Sequence, residues 1–376
     1  MNRKTLRADF LLLLTAAVWG FGFVAQRSGM EHIGPFAYNG IRFILGSLSL
    51  LPLILVRRKR INRSKLPVLP SVAAGGILFI AVILQQIGII FTTAGNAGFI
   101  TGLYVVFTPI FGIFLGRKTG LPTWIGSVLT LAGMYFISIV DNSGSVNPGD
   151  IIVFISAFFW TAHVLLIDRL MNKTCGKSGS QTAPKESLNP AACSQSGLPE
   201  AHAAVKSSAE SSAVNDKRRD DCDSAIDPVE LSAGQFAFCG ILSLIGAFAA
   251  EPFIVQIVEN INVSLLNAGL FSWKPFPELI SALESGTVLL SLDLLIPILY
   301  GGLGSVGIAY TLQVVAQRDA PPAHATIILC FEGCFAALGG ILLLSEKAGG
   351  WTLLGFALML AGMMATQLDT HKEHRA

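Results

Sequence analysis

Three ionisable side chains stand inside long apolar stretches of this chain: Arg42, His163 and Glu332. A charge at bilayer depth costs about 2.5–3.5 kcal/mol on insertion scales, so each needs a partner or a watery cavity. Arg42 follows Pro35 by seven residues, about 10 Å along a helix. Its forked donors can hold a carboxylate or phosphate; alternatively it snorkels or pairs with a helix C-terminus. Glu332 lies nine residues past Ala323, near mid-span. A carboxyl there can couple a solute to a proton, act as counter-ion to Arg42, or bond to helix backbone. His163, one turn past Trp160, can change charge near neutral pH or serve as a hydrogen-bonded packing residue.

Uncharged polar residues add to this set. Gln85, Gln86, Asn96 and Gln313 can line a polar cavity or bond between helices. Adjacent Gln85 and Gln86 point about 100° apart, so both cannot face one cavity equally. Trp19, Trp160, Tyr104 and Tyr310 can wall such a cavity, although aromatic residues near span ends also anchor at the interface. The candidates to bind or couple a solute are therefore Trp19, Arg42, Gln85, Asn96, Tyr104, Trp160, His163, Tyr310, Gln313 and Glu332. No residue is expected to be catalytic, and no metal or cofactor is expected. There is no His-Glu-x-x-His, no acidic pair at catalytic spacing within a span, and no phosphate-binding Gly-x-x-x-x-Gly-Lys-Ser/Thr. The six cysteines form no Cys-x-x-Cys pair and read as reduced.

The elements that must position these residues are apolar helices. Hydrophobic residues make up 52% of the 376 and charged ones 13%, with a mean hydropathy of +0.62, against about 25% charged in soluble domains. A hydrocarbon core of about 30 Å takes about 20 helical residues. Spans of that kind are read near 9–26, 35–56, 71–91, 97–116, 123–140, 149–168, 231–250, 291–314, 323–345 and 351–368. The first is read as uncleaved, because Trp19-Gly20-Phe21-Gly22-Phe23 prolongs it beyond a signal peptide. Basic residues then test the count. With alternating loops, nearly all of the 26 Lys and Arg fall on the N-terminal side; only Arg27, Lys274 and Lys347 fall opposite, and Arg42 lies inside a span. That side is cytoplasmic by the positive-inside rule, and the asymmetry survives omission of the long loop. Residues 171–230, rich in Ser, Ala, Lys and Asp, are read as a disordered cytoplasmic linker. The outer segment 251–290 keeps Phe253, Leu265, Phe271 and Trp273 and is read as partly interfacial.

The chain also repeats itself. Asp9 precedes Trp19 by ten residues, and Asp150 precedes Trp160 by ten. Leu131-Ala132-Gly133-Met134 recurs as Leu360-Ala361-Gly362-Met363, and at the same offset Gly126 meets Gly355 and Thr123 meets Thr352. The expected fold is thus all-α and integral to the membrane: ten transmembrane helices as two inverted five-helix repeats, with a solute site between them. The first repeat covers 1–146, the first helix of the second covers 147–170, and the remainder covers 231–370 after the 171–230 insertion.

Several motifs, in order along the spans, carry a family resemblance. They are Trp19-Gly20, Ile41-Arg42-Phe43, Thr92-Thr93-Ala94-Gly95-Asn96-Ala97, Ala309-Tyr310-Thr311-Leu312-Gln313 and Leu343-Leu344-Ser345-Glu346-Lys347. With them the chain resembles the drug/metabolite transporter superfamily, and more narrowly its EamA-type ten-helix carriers. The resemblance implies import or efflux of amino acids, metabolites or drugs without ATP hydrolysis. One departure stands out: the family often closes the fourth span with an acidic residue, and Arg117 stands there.

The function expected is a secondary transporter of a small solute by alternating access. A non-transporting membrane scaffold or sensor, docking through 171–230, is the alternative, with an intramembrane enzyme behind it. The expected partners are a small-molecule solute and the lipid bilayer, with a homodimer left open; a net charge of +2 supports no role with nucleic acid. A bacterial plasma membrane, with both termini cytoplasmic, is the expected location.

Overall fold

The computed structural model describes residues 3–30, 32–61, 66–92, 94–116, 119–136, 148–172, 226–251, 253, 256, 291–343 and 350–373. Among these residues the regular structure is helical. Helices α1 (Arg3–Gly29), α2 (Pro35–Ile61) and α3 (Val68–Phe91) each run without a break. Next come α4 (Ala94–Thr101) and α5 (Tyr104–Phe114), one rod interrupted at Gly102-Leu103, and then α6 (Leu121–Tyr135). Beyond them lie α7 (Pro148–Asn172) and α8 (Pro228–Ala249). Helix α9 (Leu292–Leu299) continues through a π-wound stretch, Tyr300–Tyr310, into α10 (Thr311–Ala316). A second interrupted rod, α11 (Pro322–Leu329) and α12 (Phe331–Leu343), precedes α13 (Gly350–Glu373).

Seven of these rods are long and apolar enough to cross a bilayer: α1, α2, α3, α7, α8, the α9–α10 rod and the α11–α12 rod. Large apolar side chains such as Leu51, Leu55, Phe114, Ile296 and Leu353 are exposed on the outside, a surface suited to lipid rather than water. The chain is an all-α integral membrane protein. The expected spans 97–116 and 351–368 fall on rods whose continuous apolar stretches, Tyr104–Phe114 and Leu353–Ala365, are shorter. The expected span 123–140 falls on α6, which has 15 residues. Most of the expected linker 171–230, most of the outer segment 251–290, Arg117 and Glu346-Lys347 lie outside the described residues.

Local chemistry sets where several rods begin. Asp227 accepts hydrogen bonds from the amides of Val229 (2.8 Å) and Glu230 (3.3 Å), and Pro228 opens α8 behind it. An N-cap acceptor followed by proline satisfies the amides a helix start leaves open. It starts α8 three residues before the 231 read from apolarity alone. The start of α2 has a partner from another helix end: the Glu251 carboxylate accepts from the amides of Phe36 and Ala37, each at 3.0 Å. Both interruptions tighten into i→i+3 bonds, Val105 N to Gly102 O and Gly333 N to Cys330 O, each 3.0 Å.

Packing brings the beginning and end of the chain together. Helix α6 lies along α13, α2 along α8, α3 along α7, and α1 against both the π-wound stretch and α12. The α6–α13 crossing is close enough to require glycine. A Cβ on Gly133 would stand 2.5 Å from Gly355 O, and one on Gly362 would stand 2.7 Å from Gly126 O. Helices α2 and α8 cross in the same reciprocal way, Gly40 against Leu244 and Gly240 against Ile44.

Candidate functional site

At the centre of the bundle, three rings from three helices meet. Tyr310 packs against Trp19 with ring centres 4.5 Å apart and stacks on Trp160 at 6.0 Å; the two tryptophans are 6.3 Å apart. Phe43 and Phe236 close on the other side of Tyr310, at 6.0 and 5.6 Å. Trp19 is held by its indole N–H, which donates to Ser305 O in the π-wound stretch at 3.2 Å.

Above this floor lies a cavity lined by Trp19, Phe23, Gln26, Arg42, Gln85, Thr101, Tyr104, Trp160, Ser305, Tyr310 and Glu332. Phe23 and Gln26 continue α1 towards Gly29, and Gln85 continues α3 towards Phe91. The cavity therefore extends from mid-bundle towards the end where α2 begins, away from Arg57 and Arg58.

Arg42 and Glu332 both reach this cavity, but no ion pair joins them among the described residues. Each has its own hydrogen-bond partner instead. Arg42 Nε donates to Asn39 Oδ1 at 2.8 Å, one turn earlier on α2. Its guanidinium carbon stands 5.4 Å from the Tyr38 ring centre and 5.0 Å from that of Phe43, close enough for a cation–π contribution. This leaves the fork of terminal nitrogens to the cavity. Glu332, 4% exposed, accepts a hydrogen bond from the Tyr104 hydroxyl at 3.3 Å. That contact joins the two interrupted rods just beyond their breaks, and Cys330 Sγ donates to Gly102 O beside it at 3.4 Å.

Of the expected residues, Trp19, Arg42, Gln85, Tyr104, Trp160, Tyr310 and Glu332 come together on one wall-to-wall cavity. His163 and Gln313 are buried but do not line it. His163 Nε2 lies 3.0 Å from Gln235 Oε1. Asn96 falls in α4, but its side chain is outside the described residues. Gln85 donates to Thr101 at 2.9 Å, while Gln86 is buried away from the cavity, as the 100° rotation between them requires. Phe23, Gln26, Thr101 and Ser305 escape a reading by type, as does Asn39, which orients Arg42. The serine, the threonine and the amides look like any interhelical hydrogen bonder until the facing of each helix is known.

The arrangement can grip an anionic group with Arg42, stack a flat or apolar body on the tryptophans, and exchange a proton at Glu332. Among the described residues no three His, Cys, Asp or Glu side chains converge to hold a metal. The cysteines Cys239, Cys330 and Cys334 are free thiols.

Residues 6–139 match the model of the EamA-like transporter family. An uncharacterized transporter of Archaeoglobus fulgidus is 32% identical over 180 residues, 46% of this chain and 53% of the relative. The uncharacterized inner membrane transporter YedA of Escherichia coli is 26% identical over 148 residues, 38% of this chain and 47% of the relative. The uncharacterized transporter YoaV of Bacillus subtilis is 21% identical over 154 residues, 40% and 53%. The chain spans about half the length of these curated relatives. One solved crystal structure superposes over 97% of this chain and 98% of its own, with a TM-score of 0.63 at 14% identity, a likeness of fold.

Proposed function

We propose that this chain, which belongs to the EamA-like transporter family through residues 6–139, is a secondary carrier rather than an enzyme. It moves a small metabolite, amino acid or drug-like solute by alternating access, without ATP hydrolysis. The observation that carries this reading is the central cavity. Arg42 and Glu332 stand in it unpaired with each other, and its walls come from both ends of the chain.

The ten-span, two-repeat architecture belongs to the same proposal. It is supported by contacts that recur at equivalent places. Trp19 and Trp160 meet at the centre. Asp9, ten residues before the first, bonds His324 at the start of α11, and Asp150, ten before the second, bonds Thr92 just before α4. Gly133 and Gly362 cross reciprocally. On this reading each repeat supplies a tryptophan to the floor and an interrupted rod to the wall, and rocking one repeat against the other opens the site to alternate sides. On the same reading both termini lie in the cytoplasm of a bacterial cell, which the excess of Lys and Arg in the loops on that side supports.

The test is reconstitution. Purified protein in sealed liposomes, with no nucleotide, should move at least one compound of a labelled metabolite mixture, and Arg42→Gln should reduce that flux. No movement of any solute across a broad mixture, with correctly inserted protein, would overturn the carrier reading.

A further inference from the structure

Beneath the aromatic floor, on the side away from the cavity, the bundle buries polar atoms that have no hydrogen-bond partner among the described residues. They are His163 Nδ1, Ser232 Oγ, Gln235 Nε2, Gln313 Oε1 and both side-chain heteroatoms of Gln317. All five residues are at most 1% exposed. A buried polar atom without a hydrogen bond costs about 1–3 kcal/mol, and native interiors hold few of them. Six such atoms lie here; others, among them those of Gln26, Gln86 and Thr130, lie elsewhere in the described residues.

Their positions follow the floor ring by ring. His163 is one turn beyond Trp160 on α7, and Gln313 is one turn beyond Tyr310, with Gln317 one turn further. Gln235 and Ser232 are one and four residues before Phe236 on α8. Residues three or four apart share a helix face, so Gln313 and Ser232 continue the faces of floor rings towards the opposite end. The bond between His163 and Gln235 joins α7 to α8 within this layer.

At the level of this layer and beyond it, the end is sealed twice. An apolar plug of Ala74, Ile167, Met171, Leu231 and Val314 joins α3, α7, α8 and α10. Outside it Arg58 pairs with Glu230 at 2.7 Å and Arg57 with Asp227 at 3.5 Å, tying the end of α2 to the start of α8.

We propose that His163, Ser232, Gln235, Gln313 and Gln317 form a second, inner set of solute contacts, the half of the path that is closed in this structure. Its ligand is a hydrogen-bonding solute with its accompanying water, and the plug and the Arg58–Glu230 pair are the gate that shuts it. This rests on the carrier reading and adds to it a second group of specificity residues. Polar residues at these five places cost a static core stability, and they suit a path that opens to water in another state.

The experiment is thiol accessibility in sealed vesicles of each orientation, read by peptide-resolved mass spectrometry so that the native cysteines stay in place. The probe is a membrane-impermeant cationic methanethiosulfonate. Ser232→Cys and Gln313→Cys should be modified from the side carrying the basic loops. The rate should rise at least tenfold when Arg58→Glu breaks the gate, and fall back in the Arg58→Glu, Glu230→Arg double variant. Thr130→Cys is the control: Thr130 is equally buried and also lacks a hydrogen-bond partner among the described residues, but it lies at the α6–α13 crossing. It should stay unreactive throughout. If Arg58→Glu does not fold, Arg58→Ala takes its place. Cysteines at 232 and 313 that stay unreactive with the gate broken, or react no faster than Thr130→Cys, overturn the proposal. Flux without this accessibility sinks the inner path alone; accessibility without any flux sinks the carrier reading and leaves the path.

Discussion

The Tyr104 hydroxyl donates to Glu332 across the contact between two interrupted rods, at 3.3 Å. It is the only hydrogen bond that Glu332 takes from the described side chains, so the carboxyl is oriented but not neutralised by a cation. Glu332→Gln keeps the volume and an oxygen that can accept from Tyr104, and removes the exchangeable proton. The variant is expected to fold and to lose the response of flux to an imposed proton gradient. Proteoliposomes with and without a pH step measure this, and a response that survives in the glutamine variant sinks proton coupling at this residue. Tyr104→Phe should act through stability instead, costing about 1–3 kcal/mol for the bond lost at a buried carboxyl.

The floor makes a separate prediction. Trp19 and Trp160 both contact Tyr310, and each lines the cavity. Aromatic pairs contribute about 0.5–1.5 kcal/mol beyond the area they bury. Replacing either tryptophan by alanine would empty the core and confuse binding with folding. Trp19→Phe and Trp160→Phe keep a ring, and Trp19→Phe also loses the hydrogen bond to Ser305 O. Each is expected to raise the half-saturation concentration about three- to tenfold, with a smaller change in maximal rate. Equal half-saturation in wild type and both variants would remove the floor from the binding site.

Much of the cavity was legible in the sequence because a membrane makes polar residues expensive. Arg42, Glu332 and Gln85 stand out against apolar surroundings for that reason, and seven expected residues share one cavity. His163 and Gln313 stood out equally, yet they lie below the floor, because residue type does not report depth. Asn39 does not stand out in the sequence, since an asparagine one turn from an arginine has meaning only where both side chains meet. The breaks at Gly102 and Cys330 were also hidden: both lie in continuous apolar stretches whose hydropathy does not register a change from α to tighter winding.

Asn39 offers a test of how Arg42 is held. Arg42 Nε is occupied by Asn39, which aims the rest of the guanidinium at the cavity. Arg42→Lys retains charge but has no fork, so an anionic solute loses a two-pronged contact. Hydrogen bonds to charged groups contribute about 1.5–3 kcal/mol, which converts to about a tenfold to hundredfold loss of affinity. Asn39→Ala should give a smaller loss with the same preference for anionic solutes, since charge and fork remain. Solute competition assays on the two variants separate these outcomes; an Asn39→Ala loss as large as that of Arg42→Lys would mean that Asn39 itself contacts solute.

The reciprocal crossing of α6 and α13 predicts paired effects from substitutions far apart in sequence. A methyl at Gly133 meets Gly355 O and Met359, and a methyl at Gly362 meets Gly126 O and Thr130. Overpacking a close crossing costs about 1–3 kcal/mol, and backbone carbonyls cannot swing aside as side chains can. Gly133→Ala and Gly362→Ala are therefore each expected to destabilise by a similar amount. The double variant should lose less than the sum, because the first substitution already forces the helices apart at the shared crossing. Thermal unfolding of the detergent-solubilised protein measures all three. If one alanine is tolerated and the other unfolds the protein, the two positions are not equivalent and the repeat does not extend to this crossing.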